Sequence, residues 1–371
     1  MFVFSTKALL SSLSLFCIIL SGCAYVSHST ANDLDAQDIA RDQPQAVSIW
    51  IPMKDGFALA PLNSSLVERQ IKFYIASGTH LQDSFELSRP YLYFVLEEVK
   101  KRNMPTELAL LPFLESSFNI RRGKSLNPAG LWGLMPVAAR HLNLAQTPLL
   151  DERRDIVRST QAALDLMQEL YEKFGDWHLA LAAYNWGPSN VSRAIANNHR
   201  RKLPTNYLSL SMPIETMVFV PKLLALRKII EDPVVYKTAL PDILNKPYFE
   251  KIEVKHAIDI SVVTQFAGIS QDEFIDLNPS YNKSLIPAGK DRFLLLPVTR
   301  FETFKKNHQQ FDRPLSSWKS VIVEQPQTLE AFAKQWQVDP NRTRQMNGLP
   351  MGITLKAGMM IVIPKPSFKD D

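Results

Sequence analysis

Cysteine is nearly absent, with only Cys17 and Cys23 in 371 residues. Both lie at the extreme N-terminus, and a chain processed after residue 22 keeps Cys23 alone. That excludes an intramolecular disulfide, a cysteine-based metal site and a cysteine nucleophile in the folded body. Long apolar runs are also missing. The longest, residues 8–20, falls short of the ~20 residues that a spanning helix needs. The seven His are scattered, and no HExxH, CxxC, GxGxxG, phosphate-binding loop or GxSxG elbow occurs, so neither a metal nor a nucleotide cofactor is expected. Neither sign of charge dominates. Lys and Arg total 42 against 37 Asp and Glu, a net +5 that becomes +4 once Lys7 leaves with residues 1–22, which hold no acid. Without a dense basic stripe, nucleic acid is not an expected partner, and mild attraction to an anionic surface is the most the charge supports.

What is present is ordinary globular composition, 46% apolar and 21% charged, in a length that allows two or three domains and excludes collagen-like and disordered classes. Lys7 followed by the apolar run reads as a signal peptide over residues 1–22. It ends in Leu20-Ser21-Gly22-Cys23, which resembles the lipobox of bacterial lipoproteins; the alternative is an uncleaved anchor. The resemblance implies lipidation of Cys23 and anchorage to a membrane by acyl chains. With Ala24 rather than Asp next in line, it implies a Gram-negative outer-membrane lipoprotein facing the periplasm. Residues 23–48 are polar and weakly patterned, as a tether would be.

The chain is organised around residues 104–140. Pro105 suits a first helical position and good helix formers follow. At helical spacing Leu108, Leu111, Pro112, Glu115, Phe118 and Asn119 share one stripe, so Glu115 should be partly buried with a raised pKa, as a general acid requires. The plain alternative is a helix-end Glu bonded to backbone or Arg. Helices are expected over 64–75 and 88–102, with Tyr91, Tyr93 and Phe94 as core, then over 159–174 and 177–183. Asp151, Glu152 and Asp155 alternate with Arg153, Arg154 and Arg158, which predicts a salt-bridged, solvated face. Residues 231–251, with three Pro and little period, mark a linker. Beyond it, Val254, Ile260 and Asn278 are matched 69 residues later by Val323, Leu329 and Asn347. Each copy closes on an apolar run before Pro.

Four segments occur in order: LPFLESSFN at 111–119, AGLWGLMP at 129–136, ALAAYNWGPSNV at 180–191 and ETMVFVPKLLAL at 215–226. Together they resemble the lytic murein transglycosylases, most closely the membrane-bound lytic transglycosylase D group, from about Trp50 onward. The resemblance implies a mainly α lysozyme-like domain over 49–230, then two small βααβ LysM-like modules of the α+β class over 252–298 and 320–366, separated by a linker at 299–319. It implies Glu115 as catalytic acid and base, with Ser116, Ser125, Tyr184, Asn185, Glu215 and Thr216 binding substrate, the glycan strands of peptidoglycan. The sequence departs from the family where Gly133 replaces a Gln, Lys124 replaces a Ser and Phe219 replaces a Tyr. The modules also lack the usual Gly-Asp-Thr turn, so sugar binding and a purely structural role both stay open for them. A weakly active or inactive wall-binding lipoprotein is the alternative function, and hydrolysis the alternative chemistry.

Overall fold

The computed structural model describes residues 47–121, 128–289, 292–311 and 314–365. The signal peptide, Cys23, nearly all of the tether, Lys124 and Ser125 lie outside them. Among the described residues no helix is long and apolar enough to cross a membrane.

Helices α1 (Trp50–Asp55), α2 (Ser65–Ala76), α3 (Gly78–Ser88) and α4 (Leu92–Lys101) open the first domain. Ser64 caps α2 by accepting from the Leu66 N–H, one of the donors a helix start leaves unpaired. The expected helix over 88–102 begins only at Leu92, and α3 precedes it as an element the periodicity did not reveal. Pro90, lacking an N–H, sits in the turn between them. Tyr91 is buried and stacks on Phe118, and Tyr93 and Phe94 pack against the same core.

A 3-10 helix (Thr106–Leu110) runs into α5 (Leu111–Glu115), with Pro105 one residue outside as N-cap rather than at the first helical position. Pro112 falls in the first turn of α5, where a missing N–H costs little. Then follow α6 (Pro136–His141), α7 (Ile156–Phe174), α8 (Trp177–Trp186), α9 (Pro188–Arg200), a 3-10 turn (Tyr207–Ser209), α10 (Ile214–Met217) and α11 (Phe219–Glu231). One apolar core joins Leu96, Leu108, Leu111, Trp132, Met167, Leu181 and Leu223. The domain is thus a helical body closed around residues 108–120 and 131–134.

Two βααβ modules follow. The first is β1 (Phe249–Glu253), β2 (Ile258–Asp259), α12 (Ile260–Ala267), α13 (Gln271–Leu277), β3 (Leu285–Ile286) and β4 (Phe293–Pro297). Strands β1 and β4 pair antiparallel with Phe249 opposite Pro297, and β2 pairs with β3. Helix α14 (Val298–Gln309) occupies much of the stretch expected as linker and packs on α12, Phe304 and Phe311 lying against Phe266. The second module repeats the plan in β5 (Trp318–Ile322), β6 (Gln327–Thr328), α15 (Leu329–Trp336), α16 (Pro340–Asn347), β7 (Thr354–Leu355) and β8 (Met360–Pro364), with Trp318 opposite Pro364.

The repeat read from sequence has a physical core. Asn278 donates to the Leu295 carbonyl at 2.8 Å and accepts from its N–H at 2.7 Å. Asn347 does the same with Val362, at 2.7 and 2.8 Å. Each buried amide thus ties a second helix to a closing strand by a two-way bond that no apolar side chain could supply.

Candidate active site

Glu115 is the last residue of α5, and the helix stops because Ser117 and Phe118 take left-handed φ of 56° and 53°. The apolar stripe therefore ends at Glu115: Phe118 reaches the core through this turn, while Asn119 is exposed. Glu115 is half-buried and accepts no hydrogen bond from any described residue, so the plain reading of a helix-end Glu held by backbone or Arg does not apply. Burial pushes its carboxyl from 4.5 up to about 8, the negative charge of Glu215 adds to the rise, and Lys222 opposes it. Such a group keeps its proton at neutral pH.

The turn 129–134 forms the wall beside it. Ala129 and Leu134 exchange backbone hydrogen bonds at 3.1 and 3.2 Å, which closes a tight loop with Gly130 and Gly133 at φ of 75° and 59°. Trp132, wholly buried, anchors the loop by donating to Thr160 Oγ1 at 2.9 Å. Glycine is required at 130, where a Cβ would lie 1.8 Å from the Arg153 carbonyl oxygen. At 133 a Cβ would lie 2.5 Å from Glu115 Oε2. The glycine that sequence comparison reads as a missing amide is therefore the surface on which the Glu115 carboxyl rests.

Ser116 does not face the cleft. It is buried and its hydroxyl is shared between the Pro112 and Leu131 carbonyls, at 3.1 and 2.9 Å. This corrects its expected substrate contact. A short side chain following Glu115 stitches α5 to the 129–134 turn instead. Tyr184, near the end of α8, donates to the Trp132 carbonyl at 2.7 Å, and its phenol is held well above its ordinary pKa by burial and by Glu115 nearby. Asn185 accepts from Thr216 Oγ1 at 2.8 Å, which leaves its amide N–H groups as donors. Thr216 is buried and Glu215 exposed, both on α10. Five of the seven expected residues, Glu115, Tyr184, Asn185, Glu215 and Thr216, thus meet where α5, α8, α10 and the 129–134 turn converge. Ser116 stands behind them, and Ser125 is outside the described residues.

Two contributors went unnoticed in sequence. Tyr207 donates to the Thr216 carbonyl at 2.6 Å and accepts from the Val220 N–H at 3.3 Å, tethering the α10–α11 junction that holds Phe219. Lys222, on the first turns of α11, is near enough to act on Glu115. Neither carried a sequence signal, since each acts through fold-level proximity. The charged run 151–158 is also corrected. Arg153 and Arg154 are buried rather than solvated, with Arg153 paired to Asp151 at 2.7 Å, and Asp155 caps α7 by accepting from Val157 and Arg158. Close packing of the Arg153 backbone on Gly130 draws this segment inward. Among the described residues no group of His, Cys, Asp and Glu is arranged to hold a metal ion.

Comparison with known proteins agrees with this layout. The family described as "Transglycosylase SLT domain" matches residues 93–205, and that described as "Lytic transglycosylase MltD, LysM-like domain" matches residues 248–313. Membrane-bound lytic murein transglycosylase D of Escherichia coli (strain K12) is 31% identical over 328 residues, spanning 85% of this chain and 72% of that one. The same figures hold for its counterpart in Escherichia coli O6:H1. A protein of Alteromonas sp. (strain M-1), named for resistance to tributyltin chloride, is 38% identical over 172 residues, 46% of this chain and 81% of its own. Similarity of that degree, running through both the helical body and the first module, makes the chain a member of the membrane-bound lytic murein transglycosylase D family.

Proposed function

We propose that this protein is a peptidoglycan lytic transglycosylase that cleaves the β-1,4 bond between N-acetylmuramic acid and N-acetylglucosamine and leaves 1,6-anhydro ends. Family membership supports the substrate class. The observation that carries the mechanism is the state of Glu115: half-buried, without a hydrogen-bond partner among the described residues, and protonated at neutral pH with a pKa pushed up to about 8.

A carboxyl of that kind is matched to acid catalysis, which works best when the pKa lies near the working pH. Glu115 gives its proton to the glycosidic oxygen as the bond to C1 breaks. The positive charge developing at C1 is met by the N-acetyl oxygen of the substrate, so the second carboxylate of most glycosidases is not needed. Glu115, now ionised, takes the proton of the C6 hydroxyl as that oxygen bonds to C1. The proton returns to the enzyme and no water is consumed. Tyr184 serves as a positioning residue through Trp132, and Asn185, its oxygen engaged by Thr216, offers N–H donors to substrate. Glu215 binds sugar from its exposed position and keeps Glu115 protonated. Lipidated Cys23 and the 23–48 tether place the enzyme at the outer membrane facing the periplasm, where it serves wall remodelling or turnover.

The deciding test is digestion of purified sacculi by a soluble form beginning at Ala24, beside its Glu115→Gln variant, with mass spectrometry of the products. Anhydro ends that vanish in the variant are the expected outcome. Reducing ends would instead assign a hydrolase, and no Glu115-dependent product would leave a wall-binding protein.

A further inference from the structure

The second module carries a groove lined by the cations Lys319, Arg342 and Lys365. It has a volume of about 740 Å³ and lies between the two modules. Lys319 Nζ sits over the Trp336 ring at 4.7 Å, and the Arg342 guanidinium over the Trp318 ring at 5.1 Å. Among the described residues neither cation pairs with a carboxylate, and neither does Lys365 on the same rim. Aromatic faces hold a cation in place without neutralising it, so both charges are preorganised yet available to a ligand. The two carboxylates lining the groove are engaged. Asp259 accepts from Ser316 and Ser317, and Asp339 caps α16 through the Arg342 N–H.

The internal repeat separates what the fold needs from what it does not. Aligning the modules on their strand registers and on Asn278 with Asn347 places Lys319 on Glu250, Trp336 on Ala267, Arg342 on Glu273 and Lys365 on Val298. The same backbone thus forms with two acids in place of Lys319 and Arg342 and an alanine in place of Trp336, while Trp318 falls on Phe249. In the first module α14 covers this face, Phe304 and Phe311 packing on Phe266. In the second, no described helix covers it.

We infer that this groove binds the acidic stem peptides of the murein strand, holding the enzyme on peptide-bearing wall away from the cleavage site. This rests on the peptidoglycan reading above. The chemistry fits in two respects. Lys319 and Arg342 supply charge-assisted bonds to carboxylates. Val262, Leu315 and Val338, half-exposed along the groove, accept short aliphatic side chains such as that of alanine.

The test is calorimetric or NMR titration of the full chain in detergent micelles with the disaccharide-tetrapeptide released from sacculi by lysozyme, and with the same disaccharide freed of its peptide. The peptide-bearing ligand is expected to bind, the bare disaccharide not to compete for the same signals, and Lys319→Gln/Arg342→Gln to weaken binding by about tenfold or more. Glu250→Gln in the first module is expected to change nothing. Equal binding of both ligands, no binding of the peptide-bearing one, or an unaltered double variant each overturns the assignment, as does a loss seen only on vesicles of anionic phospholipid. Digestion of sacculi by the double variant is read separately. If anhydro products are absent from wild type and variant alike, the catalytic reading fails while the binding result stands on its own.

Discussion

Glu115 and Gly133 form one device, because the carboxyl can occupy its place only where residue 133 has no side chain. Substituting Gly133→Ala at a φ of 59° costs about 1 kcal/mol of backbone strain. The larger effect is on function. A Cβ 2.5 Å from Oε2 displaces the flexible end of Glu115, and a misplacement of that order reduces turnover by ~10²-fold. The expected signature is a small fall in melting temperature with a large fall in kcat, and normal activity in Gly133→Ala would refute the pairing. The raised pKa of Glu115 yields a second expectation. Its carboxyl holds a proton up to about pH 8 in the folded protein but ionises near 4.5 when exposed. Between those values the native state binds more protons than the unfolded state, so stability falls as pH rises through this window and levels off above it. Glu115→Gln should therefore raise stability at pH 9 by ~1–3 kcal/mol relative to wild type and by little at pH 4, while lowering activity by ~10²–10⁴-fold. Wild-type kcat/KM should fall above pH about 8, where the acid is lost. Denaturant titrations at the two pH values and a pH-rate profile check these outcomes.

At the scale of elements, the segment leading to Glu115 is held by a buried clamp. Glu107, fully buried in the 3-10 helix, accepts from the Ala58 and Leu59 N–H groups at 3.0 and 2.9 Å and pairs with Arg227 of α11 at 2.8 Å. Glu107→Ala strands two amides and takes from Arg227 one of its two carboxylate partners, Glu231 remaining at 2.8 Å, and should destabilise the domain by ~2–4 kcal/mol. Chemical denaturation measures it, and a change below ~1 kcal/mol would show the clamp to be dispensable. Sequence singled out Glu115 but not this clamp, and the difference has a physical cause. Glu115 stood out because its neighbours at helical spacing are apolar, a local pattern. Glu107, Arg227 and the 58–59 backbone are brought together only by the tertiary fold. Ser116 misled for a similar reason, since its place beside Glu115 in the chain said nothing of the Leu131 carbonyl behind it. The 151–158 charges read as solvated because alternation in a sequence cannot display the Gly130 turn that packs on them.

For the whole molecule, the repeat was legible at its apolar and Asn positions, whereas α14 and the docking of the first module were not. That docking is extensive. Tyr91 donates to the Asp276 carbonyl at 2.8 Å, the Asp151 N–H to the Ser280 carbonyl at 2.9 Å, and Arg121 pairs with Asp276 at 2.6 Å. Phe249, Leu277 and Leu295 belong to the core of the helical domain, whereas Val323, Leu329, Phe332 and Ile361 form a small core of their own, joined to the first module by the smaller cluster of Leu285, Trp318 and Val362. Equivalent asparagines should therefore have unequal reach. Asn278→Ala and Asn347→Ala each leave a backbone N–H and C=O unpaired, at a local cost of ~2–4 kcal/mol. Because Asn278 bonds to Leu295, its loss should lower the main melting transition and with it the temperature at which activity survives. Asn347→Ala should instead release the second module alone, as a separate early transition seen in tryptophan fluorescence, with thermal inactivation unchanged. A single shifted transition for both variants would mean that the second module melts together with the body. If the transitions separate, the molecule combines a rigid part, in which the first module buttresses the cleft, with a module whose attachment is weak enough for it to melt on its own.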